Sequence, residues 1–162
     1  MIATAVQFYD VVTWLHVTAI VIGFGPTFAY AAFAIAAQRD GGAALPVVLR
    51  TTMLWDRTAN TIAMTLILLT GIYMASDGPY DFSSFFVSWG FVAIIVLLGL
   101  THGYFIPKTR KQIELVERDL ASPGGKLSPE FESVTGQIAK VGTVAGILII
   151  LTIYVMSAKP FL

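Results

Sequence analysis

Residues 14–33 read WLHVTAIVIGFGPTFAYAAF, and this stretch decides the fold. It holds no Lys, Arg, Asp or Glu over the roughly 20 residues that a helix needs to cross about 30 Å of hydrocarbon. Apolar sequence continues on both sides, which places a first helix over about residues 8–37. Three further apolar segments follow, at about 56–76, 85–107 and 138–158. Backbone N–H and C=O groups find no partners in lipid, so each segment must satisfy its own. None shows the alternation of a barrel strand. The chain therefore reads as an all-α membrane protein, a single four-helix transmembrane bundle spanning residues 1–162.

Composition agrees. Of 162 residues, 56% are hydrophobic and 12% charged, against about 25% charged in a soluble domain. One core of this size could not hide so much apolar surface. The net charge of zero gives no reason to expect a nucleic-acid partner; the bilayer is the partner implied. There is no Cys, which excludes disulfides, thiolate metal sites, iron–sulfur clusters and cysteine nucleophiles. The opening MIATAVQFYD lacks the positive n-region of a signal peptide, so the first apolar run reads as a retained helix.

The connections differ in character. Gly41, Gly42 and Pro46 mark a turn after the first helix, and the second helix could begin as early as Pro46, along the interface. Residues 76–84, SDGPYDFSS, form a short polar turn. The connection at about 108–137 carries Ile113, Val116 and Leu120 at helical spacing among charges, an amphipathic helix that could continue the third span past Pro107. Ser128-Pro129 has the form of an N-cap followed by Pro at the first helical position, so the last helix starts well before its membrane segment.

Basic residues set the orientation. Arg39, Arg50, Arg57, Lys108, Arg110, Lys111, Arg118, Lys126 and Lys140 fall on one face, and only Lys159 falls on the other. The basic face is expected in the cytoplasm and both termini outside, in the bacterial inner membrane. A terminal Lys159 reaches the interface by snorkelling.

The polar groups inside the bundle are the candidates for chemistry. Tyr9, Thr13, His16, Gly23, Thr27 and Tyr30 share one stripe of the first helix, a face expected to point inward. An ionisable side chain in a membrane is costly and faces the bundle interior. His16 then has two readings: an axial ligand to a haem held between helices, or a histidine hydrogen-bonded to a neighbouring helix. His102, in the third helix, favours the second. With 1.5 Å per residue, His16 lies about 12 Å and His102 about 24 Å below the outer face, too far apart to share one iron. Gly23-Phe24-Gly25-Pro26 interrupts the first helix, either to make room for a ligand beside His16 or as a packing kink. Gly142-x-x-x-Gly146 and Thr70-Gly71 read as close-packing sites. Asp56, Arg57 and Asn60 read as an interface anchor, and Asp10 as a carboxylate favoured by a helix N-terminus. Met64, Met74 and Met156 are scattered and give little support to a copper path.

WLHVTAIVIGFGPTFAYAAF, the second-helix ending LILLTGIYM and the terminal YVMSAKPF resemble an uncharacterised bacterial family of predicted integral membrane proteins with four helices. More distantly the chain is similar to HemJ-type protoporphyrinogen oxidases and CopD-type membrane domains. In the former the first-helix His is linked to haem b, which by analogy falls on His16. Trp89 is followed by GFVAIIV, without the Lys of those enzymes, and TGQIAKVG lacks their Asn-Glu. The resemblance thus implies haem b more than it implies the oxidase activity.

The first expectation is therefore a haem-b-binding bundle with a redox or porphyrin-related role. His16 would be the iron ligand, Thr13, Gly23 and Thr27 would line the site, and His102 would be a lesser candidate. The second is a non-enzymatic accessory or assembly subunit, in a homo-oligomer or a larger membrane complex. A third is transport of a metal ion or small solute, which four short helices could support only as an oligomer.

Overall fold

The computed structural model describes residues 7–161. The uncharged residues 1–6, on which the reading of a retained first helix partly rests, lie outside them. Four helical rods, Phe8–Arg39, Leu45–Asp77, Phe85–Ala121 and Pro129–Ala158, are each long and apolar enough to cross a membrane. At 30–37 residues they measure about 45–55 Å, well beyond the hydrocarbon thickness of about 30 Å. The excess gathers at the basic end of the bundle.

Local chemistry divides each rod. The first comprises α1 (Phe8–Phe24) and α2 (Tyr30–Arg39), joined by a 3-10 turn at Pro26–Ala29. Pro26 cannot donate to the preceding turn, and the tighter winding absorbs the break. Gly41 and Gly42, at φ +85° and +80°, make the left-handed turn into the second rod that a side chain would resist.

The second rod begins at Leu45, with α3 (Leu45–Trp55), a π-helical turn at Asp56–Asn60 and α4 (Thr61–Asp77). The third joins α5 (Phe85–Leu100) to α6 (Ile106–Ala121) through a second π-helical turn at Thr101–Phe105. Pro107 sits in the first turn of α6, where the wide turn before it leaves room for the ring. Residues 108–137 comprise the end of the third rod, a turn at 122–128, and the opening of α7 (Pro129–Ala158). Ser128 caps α7, its Oγ accepting from Phe131 N at 3.3 Å.

Three apolar clusters hold the rods together. The central one contains Ala19, Phe24, Met64, Ile67, Leu97 and Ile149. A second, at the basic end, packs Leu45 and Leu49 of α3 against Ile113 and Val116 of α6 and Phe131 of α7. The third closes the opposite end around Ala75, Phe86 and Val87. Large apolar side chains such as Val21, Leu69, Val92 and Ile150 point outward, which water would disfavour and lipid does not.

Charge pairs secure the basic end. Arg50 meets Glu117 at 2.6 Å, Lys111 meets Glu130 at 2.9 Å, and Arg118 lies 2.9 Å from Asp119. The Ser128 N–H donates to Asp119 Oδ2 at 2.7 Å. Hydrogen bonding from Ser128, with the Arg118 guanidinium beside it, holds the Asp119 carboxyl below the usual carboxylate range. Lys111, and then Arg118, do the same for Glu130.

The neighbours in the bundle are α1 with α4, α4 with α5, and α5 with α7, while α1 and α7 make little contact. The ring of helices is thus open along one side.

Candidate functional site

The open side holds a cavity of about 510 Å³. Its α1 wall runs from Tyr9 to Phe24, a span of about 22 Å along the helix. Ile67, Gly71 and Met74 form the α4 wall, Phe86, Gly90 and Leu97 the α5 wall, and Ile149, Thr152 and Met156 the α7 wall. Val17, Val21 and Ile153 line it and are also exposed, so the cavity reaches the lipid-facing surface between α1 and α7. Two glycines leave space: nothing but the His16 ring at 3.7 Å would meet a Cβ on Gly71, and a Cβ on Gly90 would collide with the methyl end of Met156.

His16 stands on the α1 wall. Its Nδ1 lies 2.7 Å from Thr70 Oγ1. The Thr70 hydroxyl is directed at the carbonyls of its own helix, Leu66 at 2.5 Å and Ile67 at 3.2 Å. It has one proton and gives it to the backbone, so His16 Nδ1–H donates and Thr70 accepts. The neutral imidazole then carries its lone pair on Nε2, which makes no hydrogen bond among the described residues. A second-row hydrogen bond that fixes the tautomer and leaves Nε2 basic is the usual arrangement of a metal-binding histidine.

The other residues expected at the site are placed differently. Thr13 donates to the Tyr9 carbonyl at 2.9 Å and Thr27 to the Phe24 carbonyl at 2.7 Å. Neither lines the cavity. Gly23 faces Ala63, whose Cβ would lie 2.8 Å from a Cβ on the glycine. It marks where α1 and α4 come closest together. The stripe on α1 does face α4, but only His16 and Tyr9 of it reach the cavity.

His102 lies in the π-helical turn of the third rod, its Nε2 at 3.2 Å from Thr61 Oγ1. Thr61 donates to the Asp56 carbonyl at 2.6 Å, so His102 is the Nε2–H tautomer, the reverse of His16. Both histidines are thus held by threonines of α4. These are nine positions apart, which separates the rings by about 13 Å along the helix and keeps them from one iron. Nearby, Asp56 Oδ1 accepts from Tyr30 at 3.2 Å and Asn60 at 3.1 Å. Asp56 and Asn60 are buried there.

Gly71, Met74, Met156 and Lys159, read from the sequence in other roles, line the same cavity as His16, as does Gly90, which the sequence did not single out. Lys159 lines the same cavity, donating to Tyr80 Oη at 2.8 Å. Its signal was its isolation from every other basic residue.

Among the described residues, no three His, Cys, Asp or Glu side chains gather closely enough to hold a bare metal ion. No curated protein and no solved structure matches the chain. A family model described as "predicted integral membrane protein (DUF2269)" matches residues 10–160. Four membrane-length apolar rods and that match over nearly the whole chain lead to one conclusion: the chain belongs to the DUF2269 family of integral membrane proteins.

Proposed function

We propose that the cleft between α1 and α7 binds haem b, which His16 would hold through Nε2, in a redox or porphyrin-related role. The observation that carries this reading is the His16–Thr70 pair: Nδ1 is committed to Thr70 at 2.7 Å, which leaves Nε2 as the unsatisfied nitrogen on the wall of an apolar cavity of about 510 Å³. One protein nitrogen is too few for a bare ion, which takes three or four protein ligands. A metal that brings four equatorial nitrogens of its own needs only one or two more. The almost wholly apolar walls suit a flat macrocycle, and the lateral opening suits a ligand that arrives through lipid. When bound, the haem would supply one-electron chemistry; the chain's own part is to ligate, orient and exclude water.

The basic end then faces the cytoplasm of a bacterial inner membrane, as the distribution of Lys and Arg favours. Protein purified from haem-replete cells should show a Soret band that is absent from His16→Ala and unchanged in His102→Ala. A colourless wild type, or a band insensitive to His16, overturns the reading.

The lateral opening also favours a second reading, an accessory or assembly subunit. Exposed Val17, Val21 and Ile153 could seat a helix of another membrane protein. This reading expects a colourless preparation that co-purifies with a partner, and a His16→Ala variant that is fully functional.

A further inference from the structure

We infer that Lys159 makes the cavity selective for an occupant carrying an acid group, whose carboxylate sits at the mouth opposite the basic end while its apolar body lies over His16. The inference rests on the haem reading in one respect, that the acid is a porphyrin carboxylate. Lys159 is the one basic side chain at its end of the bundle among the described residues, and it lines the same cavity as His16. Its ammonium has three N–H donors. One goes to Tyr80 Oη at 2.8 Å, with the Tyr80 ring centroid at 4.2 Å and that of Phe86 at 5.8 Å. No carboxylate among the described residues lies within ion-pair distance of it. Two donors are therefore left for an anion, in an apolar setting where a charge-assisted bond is strong.

Lys159 is the left-handed C-cap at which α7 stops, at φ 44° and just ahead of Pro160. From there its side chain reaches Tyr80 on the α4–α5 turn. The occupant that fits both ends of the cavity is a lipid-soluble carboxylic acid with a broad apolar body. A phospholipid phosphate would also meet Lys159, and competition by phosphatidylglycerol separates the two occupants.

The test uses full-length protein in neutral phosphatidylcholine nanodiscs, with iron-free protoporphyrin and its dimethyl ester as fluorescent probes. Lacking iron, these probes do not depend on His16 ligation. The wild type should prefer the diacid over the diester by about tenfold or more, the worth of a charged hydrogen bond. Lys159→Gln should abolish that preference and Lys159→Arg should retain it. Comparing the preference between variants in one lipid cancels differences in partitioning, and the unaltered diester affinity of Lys159→Gln reports that it is folded. Equal binding of diacid and diester, a preference that survives in Lys159→Gln, or no binding of either probe overturns the inference. So does release of the diacid by phosphatidylglycerol at equimolar amounts, which would assign Lys159 to a lipid headgroup. A diacid preference that depends on Lys159, in a protein without a His16-dependent Soret band, would keep this inference and remove the haem reading alone.

Discussion

His16 and Thr70 stand 54 residues apart in sequence, and their side chains meet at 2.7 Å across the α1–α4 interface. The direction of that bond follows from where the Thr70 proton goes, and it sets which imidazole nitrogen is basic. Removing the acceptor should therefore loosen the ring without removing the ligand. In Thr70→Val the His16 Nδ1–H loses its partner, and the ring is free to turn or to change tautomer. Haem affinity is expected to fall about 10- to 100-fold, the usual cost of losing such a supporting contact. Thr70→Ser should restore it. Titration of haem into the apoprotein reads this directly, and an affinity unchanged in Thr70→Val would remove Thr70 from the site.

Gly23 tests the packing of α1 against α4. A Cβ there would lie 2.8 Å from Ala63 Cβ, closer than two carbons tolerate, and both helices are fixed by neighbours. Gly23→Val should cost about 1–3 kcal/mol, the range for overpacking a core. Gly23→Ala should be milder and should be rescued in part by Ala63→Gly, since the two changes act on one contact. Unfolding in mixed micelles measures each. Additive effects of the two substitutions would show that the helices do not meet there.

The four spans and the α7 cap were legible because they rest on local rules: uninterrupted apolarity over a membrane thickness, and Ser followed by Pro at a helix start. The α1 stripe was legible as inward-facing for the same reason. What it lacked was a depth limit. Thr13 satisfies its hydroxyl on its own helix, Gly23 packs against Ala63, and Thr27 lies past Phe24, the last α1 residue on the cavity wall. Periodicity reports which face a residue is on, not how far along that face a cavity extends. Lys159 was read as a snorkelling terminal residue because its partner Tyr80 is 79 positions away, a pairing that exists only in the tertiary fold. The π-helical turn at Asp56–Asn60 likewise has no period of its own in the sequence. Yet it presents Asp56 Oδ1 to both Tyr30 and Asn60.

The basic end should weaken in acid, and the sign follows from Asp119. Its carboxyl is 6% exposed and is held below the usual range by Ser128 and Arg118. A carboxyl with a lowered folded-state pKa stabilises fully above its unfolded value and loses that contribution as pH falls through the folded value. Loss should therefore begin below about pH 4 and continue downward, with Glu130, lowered by Lys111 and Arg118, acting in the same direction. Asp119→Asn should be less stable than the wild type at neutral pH and should show a shallower fall as pH drops below about 4. Denaturant unfolding at each pH, with protease cleavage at the 122–128 turn as the readout, tests this. A variant as acid-sensitive as the wild type would place the titrating group elsewhere.

The cavity itself is tested by filling it from walls that carry no candidate ligand. Gly71 has only the His16 ring at 3.7 Å from where its Cβ would sit. Gly71→Ala therefore makes an ordinary van der Waals contact and should leave both stability and haem binding nearly unchanged. Gly71→Leu places a branched side chain where the ring stands, and should turn His16 aside and abolish the Soret band. Gly90 differs, because the atom its Cβ would meet is the flexible end of Met156. Gly90→Ala should push that methyl into the cavity at little cost to folding, and weaken haem binding by displacement, whereas the double change Gly90→Ala with Met156→Ala should recover it. The two glycines lie on different helices, α4 and α5, so one shared outcome cannot come from a local defect in either. If Gly71→Leu and Gly90→Ala both fold and both keep wild-type absorption, the haem does not lie between α1 and α7.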